Sequence, residues 1–296
     1  MIIHQPVLLK EVLKIFDPSP GETYIDATIN GGGHAEAILQ KIGPEGKLLG
    51  IDWDCGLLKE LRTKNLELRN KNIKLICDNY VNVKSNSRKY HLGEIAGILF
   101  DLGFSSYHLE ESRRGFSFLK AEPLDMRYNP DGDLTAEKII NTWAEKAIAD
   151  LLWQCGEERF ARRIARGIVR ARAQGPIRTT VELNAVISRS VPRAFLGGRL
   201  HPATRTYQAL RMTVNQELEN LERVLPEATD IIKKKGKLIV ISFHSLEDRI
   251  VKKFFRQKER EGILEIITPK PISPGLEEIN NNPRARSAKL RAAIKI

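Results

Sequence analysis

The chain has no long apolar run and few cysteines, and each absence excludes a class of protein. No stretch of 18 apolar residues occurs among its 296 residues, so the sequence predicts no membrane span. The N-terminus has no basic segment followed by an apolar one. We therefore expect no signal peptide and predict a cytoplasmic location.

Cysteine is scarce, and its three positions show no pairing motif. Cys55, Cys77 and Cys155 lie far apart and form no C-x-x-C pair. This spacing favours reduced thiols, each buried as a small apolar side chain, over disulfides or a zinc site. The sequence predicts no metal centre.

Positive charge is abundant and unevenly distributed. The formal net charge is +11, and residues 151–212 contain twelve arginines, no lysine and three acids. A cytoplasmic protein this basic is expected to have a polyanion as a partner.

The stretch Tyr24–Glu36, YIDATINGGGHAE, has the pattern of a ligand-binding turn. A short apolar strand ends at Asp26, glycines occupy positions 31–33, and a helix begins near His34. Glycine lets a ligand approach the backbone, and turns between a strand and a helix N-terminus hold nucleotide-like ligands in open α/β sheets. Asp52 ends the next apolar run about 20 residues later, where an acid can bind ribose hydroxyls.

S-adenosylmethionine fits this pattern better than a dinucleotide does. The fingerprint G-x-G-x-x-G fails because Glu36 occupies its last position, and no G-x-x-x-x-G-K-[ST] is present. S-adenosylmethionine has adenine and ribose but no phosphate, so it needs only the glycine turn and the ribose acid. An ordinary strand-to-helix turn, with Asp52 merely ending a strand, is the competing interpretation.

Apolar runs separated by helical patterns predict a doubly wound, mostly parallel sheet. The first four strands are expected at residues 23–26, 47–52, 73–77 and 95–101. After Gly103 the pattern becomes irregular and then helical, and a strand pattern returns at Lys237. We therefore predict an α/β domain formed by 1–105 and 213–296, interrupted by an all-helical domain at 106–212.

Local signals make sharper predictions within the C-terminal two thirds. Thr179 and Glu182 have capping-box spacing, and Gly197-Gly198 suits a turn. One helix is expected from Ala203 to Val224, and a second from Pro226 with Gly236 as its C-cap.

Polar residues at the strand ends predict a binding crevice, because ligands of such sheets lie beyond the carboxyl ends of the strands. These residues are Asp26, Asp52, Asp78-Asn79-Tyr80, Asp101 and Ser242-Phe243-His244-Ser245. Taken singly, each is more often a turn former or helix cap. Asp101 is the candidate catalytic residue, since it would lie where a methyl acceptor meets the donor. His34 and His108 could each contact the ligand or serve as caps.

An arginine stripe marks the segment from Glu158 to Ala173. On a helical wheel five arginines fall within about 100° of one another, and Phe160, Ile164 and Ile168 face away from them. The five are Arg159, Arg162, Arg163, Arg166 and Arg170. A solvated face is the ordinary interpretation, but arginine without lysine or interleaved acids favours nucleic-acid binding, since guanidinium groups bind phosphate bidentately.

Longer motifs resemble those of the bacterial 16S ribosomal RNA cytosine-N4 methyltransferases (RsmH, formerly MraW). The similarity runs almost end to end. It includes HQPVLLKEVL at 4–13, YIDATINGGGHAEAIL at 24–39, FDLGFSS at 100–106, RGFSF at 114–118, PLDMR at 123–127, GEERFARRIARGIV at 156–169, HPATRTYQALRMTVNQEL at 201–218, ISFHSLEDRIVKKF at 241–254 and NPRARSAKLR at 282–291.

The resemblance implies a class I S-adenosylmethionine-dependent methyltransferase fold, Rossmann-like, with an antiparallel edge and an inserted helical substrate-recognition domain. The implied partner is 16S ribosomal RNA, within the small ribosomal subunit, methylated on a decoding-region cytidine. The implied cofactor contacts are Gly32, Gly33, His34, Asp52, Tyr80, Asp101 and His108. Whether the chain forms a homodimer stays open.

Several positions depart from the family pattern. Members usually carry a Phe-Gly-Arg-Gly-Gly-His loop where this chain has Ile29-Asn30-Gly31-Gly32-Gly33-His34. Position 80 is more often Phe, position 108 is usually Gln, and position 53, here Trp, is commonly Arg.

Two other functions remain open at this point. A non-catalytic RNA-binding assembly protein could retain the fold, although the glycine turn and Asp52 speak against it. The chain could also be a methyltransferase that acts on protein or small molecules, although the arginine stripe speaks against this function.

Overall fold

The computed structural model describes residues 6–64, 72–195 and 201–296, which form two compact units. The sheet unit comprises Met1–Ser105 and Leu218–Ile296, and the helical unit comprises Ser106–Glu217. The second division falls five residues beyond the predicted one, and the roles predicted for the two domains remain predictions. The turn predicted at Gly197-Gly198 lies outside the described residues.

The sheet unit is built on seven strands in the order β3-β2-β1-β4-β5-β7-β6. The strands are β1 Thr23–Asp26, β2 Lys47–Asp52, β3 Ile73–Cys77, β4 Ile95–Asp101, β5 Ile232–Ser242, β6 Leu264–Ile266 and β7 Lys289–Lys295. The first five pair in parallel, and β7 runs antiparallel to both β5 and β6. The predicted α/β fold class, mostly parallel with an antiparallel edge, is confirmed.

Helices surround the sheet and make up most of the helical unit. In chain order they are α1 Leu9–Phe16, α2 Gly33–Ile42, α3 Cys55–Lys64, α4 Val83–Lys89, α5 Ser106–Glu110, α6 Ala136–Thr142, α7 Glu145–Gly156, α8 Ala161–Arg172, α9 Thr180–Ser190, α10 Thr204–Val214, α11 Glu217–Ile231, α12 Ser245–Arg260 and α13 Leu276–Asn281.

The sheet is buried on both faces, which explains the unbroken apolar runs of its strands. All seven residues of β4 are buried, with Leu99 in one hydrophobic cluster and Ile98 and Phe100 in the other. Each fully buried aliphatic or aromatic side chain contributes about 1.5–3 kcal/mol. These contacts fix the strand ends, and so the polar residues that follow them.

The helical unit has a hydrophobic core of its own. Ile164 and Ile168 of α8 are fully buried in it, so the apolar side of the predicted stripe is the packed side. The capping box at the start of α9 is confirmed, since the Thr179 hydroxyl and the Glu182 carboxylate each accept the other residue's backbone N–H.

The single helix predicted from Ala203 to Val224 is wrong, because the chain turns between α10 and α11. The Asn215 side chain donates to the carbonyls of Met126 and Arg211, and Gln216 has φ 51°. A side chain that bonds its own helix backbone ends the helix in a way that apolar periodicity does not reveal.

The helix start predicted at Pro226 and the C-cap at Gly236 are also wrong. Pro226 lies inside α11, beside the fully buried Leu225 and Ala228, whose packing offsets the backbone hydrogen bond that proline removes. Gly236 lies within β5, where the register with β4 shifts and Lys235 has φ 65°. The glycine marks an irregularity in a strand rather than a helix end.

A disulfide joins Cys55 to Cys77, so the expectation of reduced thiols is wrong for this pair. Cys77 lies opposite Asp52 in the register of β3 and β2, and Cys55 begins α3 directly after β2, which places the two Cα atoms 5.2 Å apart. This separation is usual for a disulfide. The pairing depends on strand order, which cysteine spacing does not encode, and Cys155 forms no disulfide.

The disulfide is expected to stabilise the sheet unit. It closes a loop of 22 residues, for which chain entropy predicts a gain of about 3 kcal/mol. The double variant C55S/C77S should lose roughly that free energy of unfolding in urea without reductant. Reductant should destabilise the wild type similarly and leave the double variant unchanged, with Cys155→Ser as the matched control. Three titratable thiols in the oxidised native protein would contradict this.

Candidate cofactor site at the carboxyl ends of the strands

The turn between β1 and α2 lies where the sequence predicts a ligand. Gly32 has φ 81°, and no described side chain caps the start of α2. Gly33 has no room for a Cβ, which would approach the ring of Pro6 to 2.8 Å. The Gly32 N–H itself donates to the carbonyl of Ile29 over 2.7 Å. The turn leads into a helix N-terminus without a side-chain cap from the described part of the chain, and the partial positive charge there favours anionic groups such as a carboxylate.

Asn30 connects this turn to two strand ends. Its N–H donates to Asp52 Oδ2 over 3.1 Å, and its Nδ2 donates to the carbonyl of Asp101 over 3.0 Å. It also has φ 47°, a left-handed conformation that Asn adopts more readily than most residues. The departure from the family's usual glycine is therefore accommodated at this position.

Asp52 is held in a fixed orientation at the end of β2. Asp54 donates its N–H to Oδ1 over 2.9 Å, while Asn30 binds Oδ2. Burial, followed by the charge of Asp54, raises the pKa of Asp52 to about 7. Each carboxylate oxygen of Asp52 has a second lone pair, which could accept a hydrogen bond from a ribose hydroxyl.

Two further carboxylates are buried at the ends of β1 and β4. Burial raises the pKa of Asp26 to about 7, with a further contribution from the charge of Asp52. Burial also raises the pKa of Asp101 well above its ordinary value, and Asp26 and Glu247 add to the shift. Within the described residues, Asp101 Oδ1 is buried and has no hydrogen-bond partner.

His34 lies beside Asp101, in the first turn of α2. Its Nε2 is 2.9 Å from the carbonyl of Val7, which can only accept, so Nε2 carries a proton. Its Nδ1 is 3.7 Å from Asp101 Oδ2. His34 therefore does not cap α2, which was one of the two roles that the sequence left open. Its Nδ1 and Asp101 Oδ2 are both acceptors, and a proton on one of these two atoms would remove their mutual repulsion.

Tyr80 follows β3 in a short 3₁₀ turn, Tyr80–Asn82, and its ring meets Phe100 edge-on at 5.8 Å. The turn is fixed by Asp78, whose carboxylate accepts from Asn82 and Asn86 side chains. Asp78 is therefore structural, and the half-buried ring of Tyr80 is left as the predicted adenine contact.

His108 belongs to the helical unit, whereas the other predicted cofactor residues belong to the sheet unit. Its ring is buried, with centroids 5.0 Å from both Phe116 and Tyr128. A packing role is thus evident for His108, and its cofactor contact remains a prediction.

The five arginines of the predicted RNA stripe are all exposed. The helix α8 begins at Ala161, so Arg159 precedes it. Three of the five, Arg163, Arg166 and Arg170, line a groove together with Arg189 of α9. Sequence reasoning missed Arg189, although Gly167 within the stripe signalled a close helix approach.

Taken together, the strand ends form a site lined by carboxyl groups. Asp26, Asp52 and Asp101 all have raised pKa values, and a positively charged ligand would favour their ionised forms. The glycine turn adds N–H donors, and Asp52 adds oxygen acceptors. This arrangement defines a Rossmann-like α/β protein with a site suited to a nucleoside that carries both cationic and carboxylate groups.

The chain belongs to the MraW methylase family, whose model matches residues 1–296. A relative from Dehalococcoides mccartyi, called ribosomal RNA small subunit methyltransferase H, is 45% identical over 99% of this chain and 86% of its own length. Proteins of the same name from Heliobacterium mobile and Acidobacterium capsulatum are 44% and 45% identical, each over 99% of this chain and 99% and 98% of their own lengths.

In the part of the chain that the structure describes, no helix has the length and hydrophobicity of a membrane-spanning segment.

The Asp101 carboxyl group is expected to lower the free energy of unfolding when it ionises. Because its folded pKa is raised, the native protein binds more protons than the unfolded chain above pH ~4, so its contribution to stability falls as pH rises through that window. Asp101→Asn should therefore raise the free energy of unfolding measurably at pH 8, and by less at pH 5.

Asp125→Asn is the control of opposite sign. Burial alone would raise the pKa of Asp125, but hydrogen bonds and charge from Arg127 hold it below its ordinary value. Its stabilisation is present above the unfolded pKa and lost as pH falls, so this variant should be less stable at pH 8. Equal decreases in the free energy of unfolding of both variants at pH 8 would contradict the conclusion that ionised Asp101 destabilises the fold.

Proposed function

We propose that this protein transfers a methyl group from S-adenosylmethionine to the exocyclic N4 of a cytidine in the decoding region of 16S ribosomal RNA. Membership of a methylase family and relatives named as small-subunit ribosomal RNA methyltransferases support the reaction and the substrate class. The choice of N4 and of the decoding region rests on the motif resemblance. The predicted setting is the small ribosomal subunit in the cytoplasm.

One observation carries the cofactor assignment. Asp101 Oδ1 is buried and unpartnered within the described residues, beside other carboxyl groups with raised pKa values. S-adenosylmethionine has a sulfonium and an ammonium group, and its positive charge would stabilise the ionised carboxylates. A neutral or phosphate-bearing nucleotide would not.

Each predicted residue has a role in holding this cofactor. The backbone of Gly32, Gly33 and His34 would bind the amino-acid portion, Asp52 the ribose hydroxyls, and Tyr80 the adenine. Asp101 would lie near the positive charge. His108 is a further contact implied by the resemblance. When bound, S-adenosylmethionine supplies an electrophilic methyl group.

Asp101 is also the proposed catalytic residue. The N4 lone pair of cytosine is delocalised into the ring, so the amine is a weak nucleophile. A carboxylate that accepts an N4 hydrogen would raise electron density on nitrogen and receive the proton that methylation releases. A raised pKa suits that task near neutral pH, and His34 Nδ1, 3.7 Å from Oδ2, can share the proton.

The RNA has to present its base outside a stack, since the reacting atom is inaccessible within a helix. A single-stranded or distorted segment is therefore the expected substrate. Arg159, Arg162, Arg163, Arg166 and Arg170 are proposed to bind its phosphates, because arginine forms bidentate bonds with phosphate oxygens.

Methyl transfer can be tested directly with labelled S-adenosylmethionine. Small subunits lacking the modification, free 16S RNA and total protein are offered in parallel, and nucleosides are separated after digestion. Label in N4-methylcytidine is the expected result. RNA binding without transfer would instead support the non-catalytic assembly protein, and label in protein would support the third candidate.

Asp101→Ala separates catalysis from cofactor binding. Loss of the N4 hydrogen acceptor should lower the single-turnover rate at saturating cofactor by about 10²–10⁴-fold. Cofactor affinity is measured separately by calorimetry. If affinity collapses while the saturated rate persists, Asp101 serves only the cofactor.

Asp52→Asn tests the ribose contact. Loss of charged hydrogen bonds should weaken cofactor binding by roughly 10- to 150-fold. Asp230→Asn is the matched control, because Asp230 is an exposed acid of the same unit that pairs only with Lys84 among its described side-chain contacts. Unchanged affinity in Asp52→Asn would remove this residue from the site.

A further inference from the structure

A groove of about 490 Å³ lies between α8 and α9 in the helical unit. Four exposed arginines line it: Arg163, Arg166 and Arg170 from α8, and Arg189 from α9. None of the described lining residues is acidic. A concave surface with one sign of charge concentrates counter-ions more strongly than a convex helix face does.

The groove exists because α8 and α9 pack closely at Gly167. A Cβ at this position would overlap Ser190 Oγ and would touch Val186 Cγ1 at 3.4 Å. The Ser190 hydroxyl donates to the carbonyl of Val186, so it lies along α9 at the floor of the groove. Glycine therefore brings Arg189 to the same opening as the arginines of α8.

Among the described residues, the arginines of the groove have only one weak counter-charge. Arg166 is 3.7 Å from Glu145, and both side chains are about half exposed, so this pair is weak. Among the described residues, no carboxylate lies within ion-pair distance of Arg163, Arg170 or Arg189. Four neighbouring guanidinium groups repel one another, and an anion with several charges would remove that repulsion.

An exposed aromatic ring lies near the start of α8. Phe195 is 44% exposed and packs edge-on against Phe160 at 5.0 Å. The guanidinium of Arg159 lies over its ring, 5.4 Å from the centroid. An aromatic ring paired with arginine is a surface on which a nucleic-acid base can stack.

We infer that the α8–α9 groove binds the backbone phosphates of single-stranded RNA, and that Phe195 stacks with one of its bases. Arg159 and Arg170 are separated by eleven residues, which is about 16 Å along helical backbone, so one strand could meet both features. The inference deepens the proposed function, on which the choice of RNA rests. It adds Arg189 and Phe195 to the predicted stripe.

Salt dependence tests the groove. Binding of a fluorescent single-stranded RNA from the decoding region is measured by anisotropy at several salt concentrations. Arg189→Gln should lower the slope of log affinity against log salt by about 0.7, and the double variant R163Q/R189Q by about 1.4. Arg189→Lys should keep the wild-type slope. Arg178→Gln, an exposed arginine of the same unit outside the groove, is the control.

Phe195 requires a different readout, because stacking does not involve counter-ion release. Phe195→Ala should weaken RNA binding by about 5- to 150-fold with an unchanged salt slope. Phe195→Trp should retain the affinity. A duplex of the same sequence should bind more weakly than the single strand and be insensitive to Phe195→Ala.

The outcomes separate this inference from the proposed function. If N4-methylcytidine forms but the groove variants keep the wild-type slope, the groove assignment is overturned and the function stands. If no methyl transfer occurs and the slope still falls, the groove stands and the function fails. An acidic peptide that competes better than RNA would overturn the choice of ligand. Circular dichroism confirms that each variant is folded.

Discussion

The site depends on carboxyl groups whose ionised forms the surrounding protein disfavours. Parallel strands end at the same edge of the sheet, so Asp26, Asp52 and Asp101 come together without any sequence proximity. Their pKa values rise mainly because each is desolvated, and nearby charge adds to the shift: that of Asp52 for Asp26, that of Asp54 for Asp52, and those of Asp26 and Glu247 for Asp101. The stability lost at this edge is offset by the two hydrophobic clusters on either side of the sheet.

Asn30 shows how one residue can serve both backbone and site. Its left-handed φ permits the turn, its amide N–H fixes Asp52, and its side chain binds the strand that carries Asp101. A glycine could satisfy only the first two of these requirements. Compared with glycine, Asn30 has less conformational freedom and forms one additional hydrogen bond. The turn should therefore be more rigid than a glycine turn.

Some of this architecture was predictable because it is local. The bounds of β1 to β4 match the sequence prediction, since buried parallel strands are continuous apolar runs with turn formers at their ends. The capping box was equally local. The strand-end acids were predictable as a group, because topology alone brings strand ends together.

The errors involve partners that are distant in sequence. Cys55 meets Cys77 only because β2 and β3 are neighbours, and α10 ends because Asn215 reaches Met126. The approach of His34 to Asp101 likewise requires coordinates, since it depends on Val7 fixing the His34 tautomer. Periodicity carries no information on such contacts.

Each unit thus keeps a set of charges that its own residues leave uncompensated. Carboxylates accumulate at the strand ends of the sheet unit, and guanidinium groups accumulate in the α8–α9 groove of the helical unit. In either place a few substitutions could supply counter-charges and raise stability, as they do at Asp125 and Arg127 or at Asp248 and Arg291. Functional sites often keep a destabilising arrangement that simple substitutions could remove. The opposite signs of the two sets are consistent with the proposed function, in which a cationic methyl donor would bind at the strand ends and RNA in the groove.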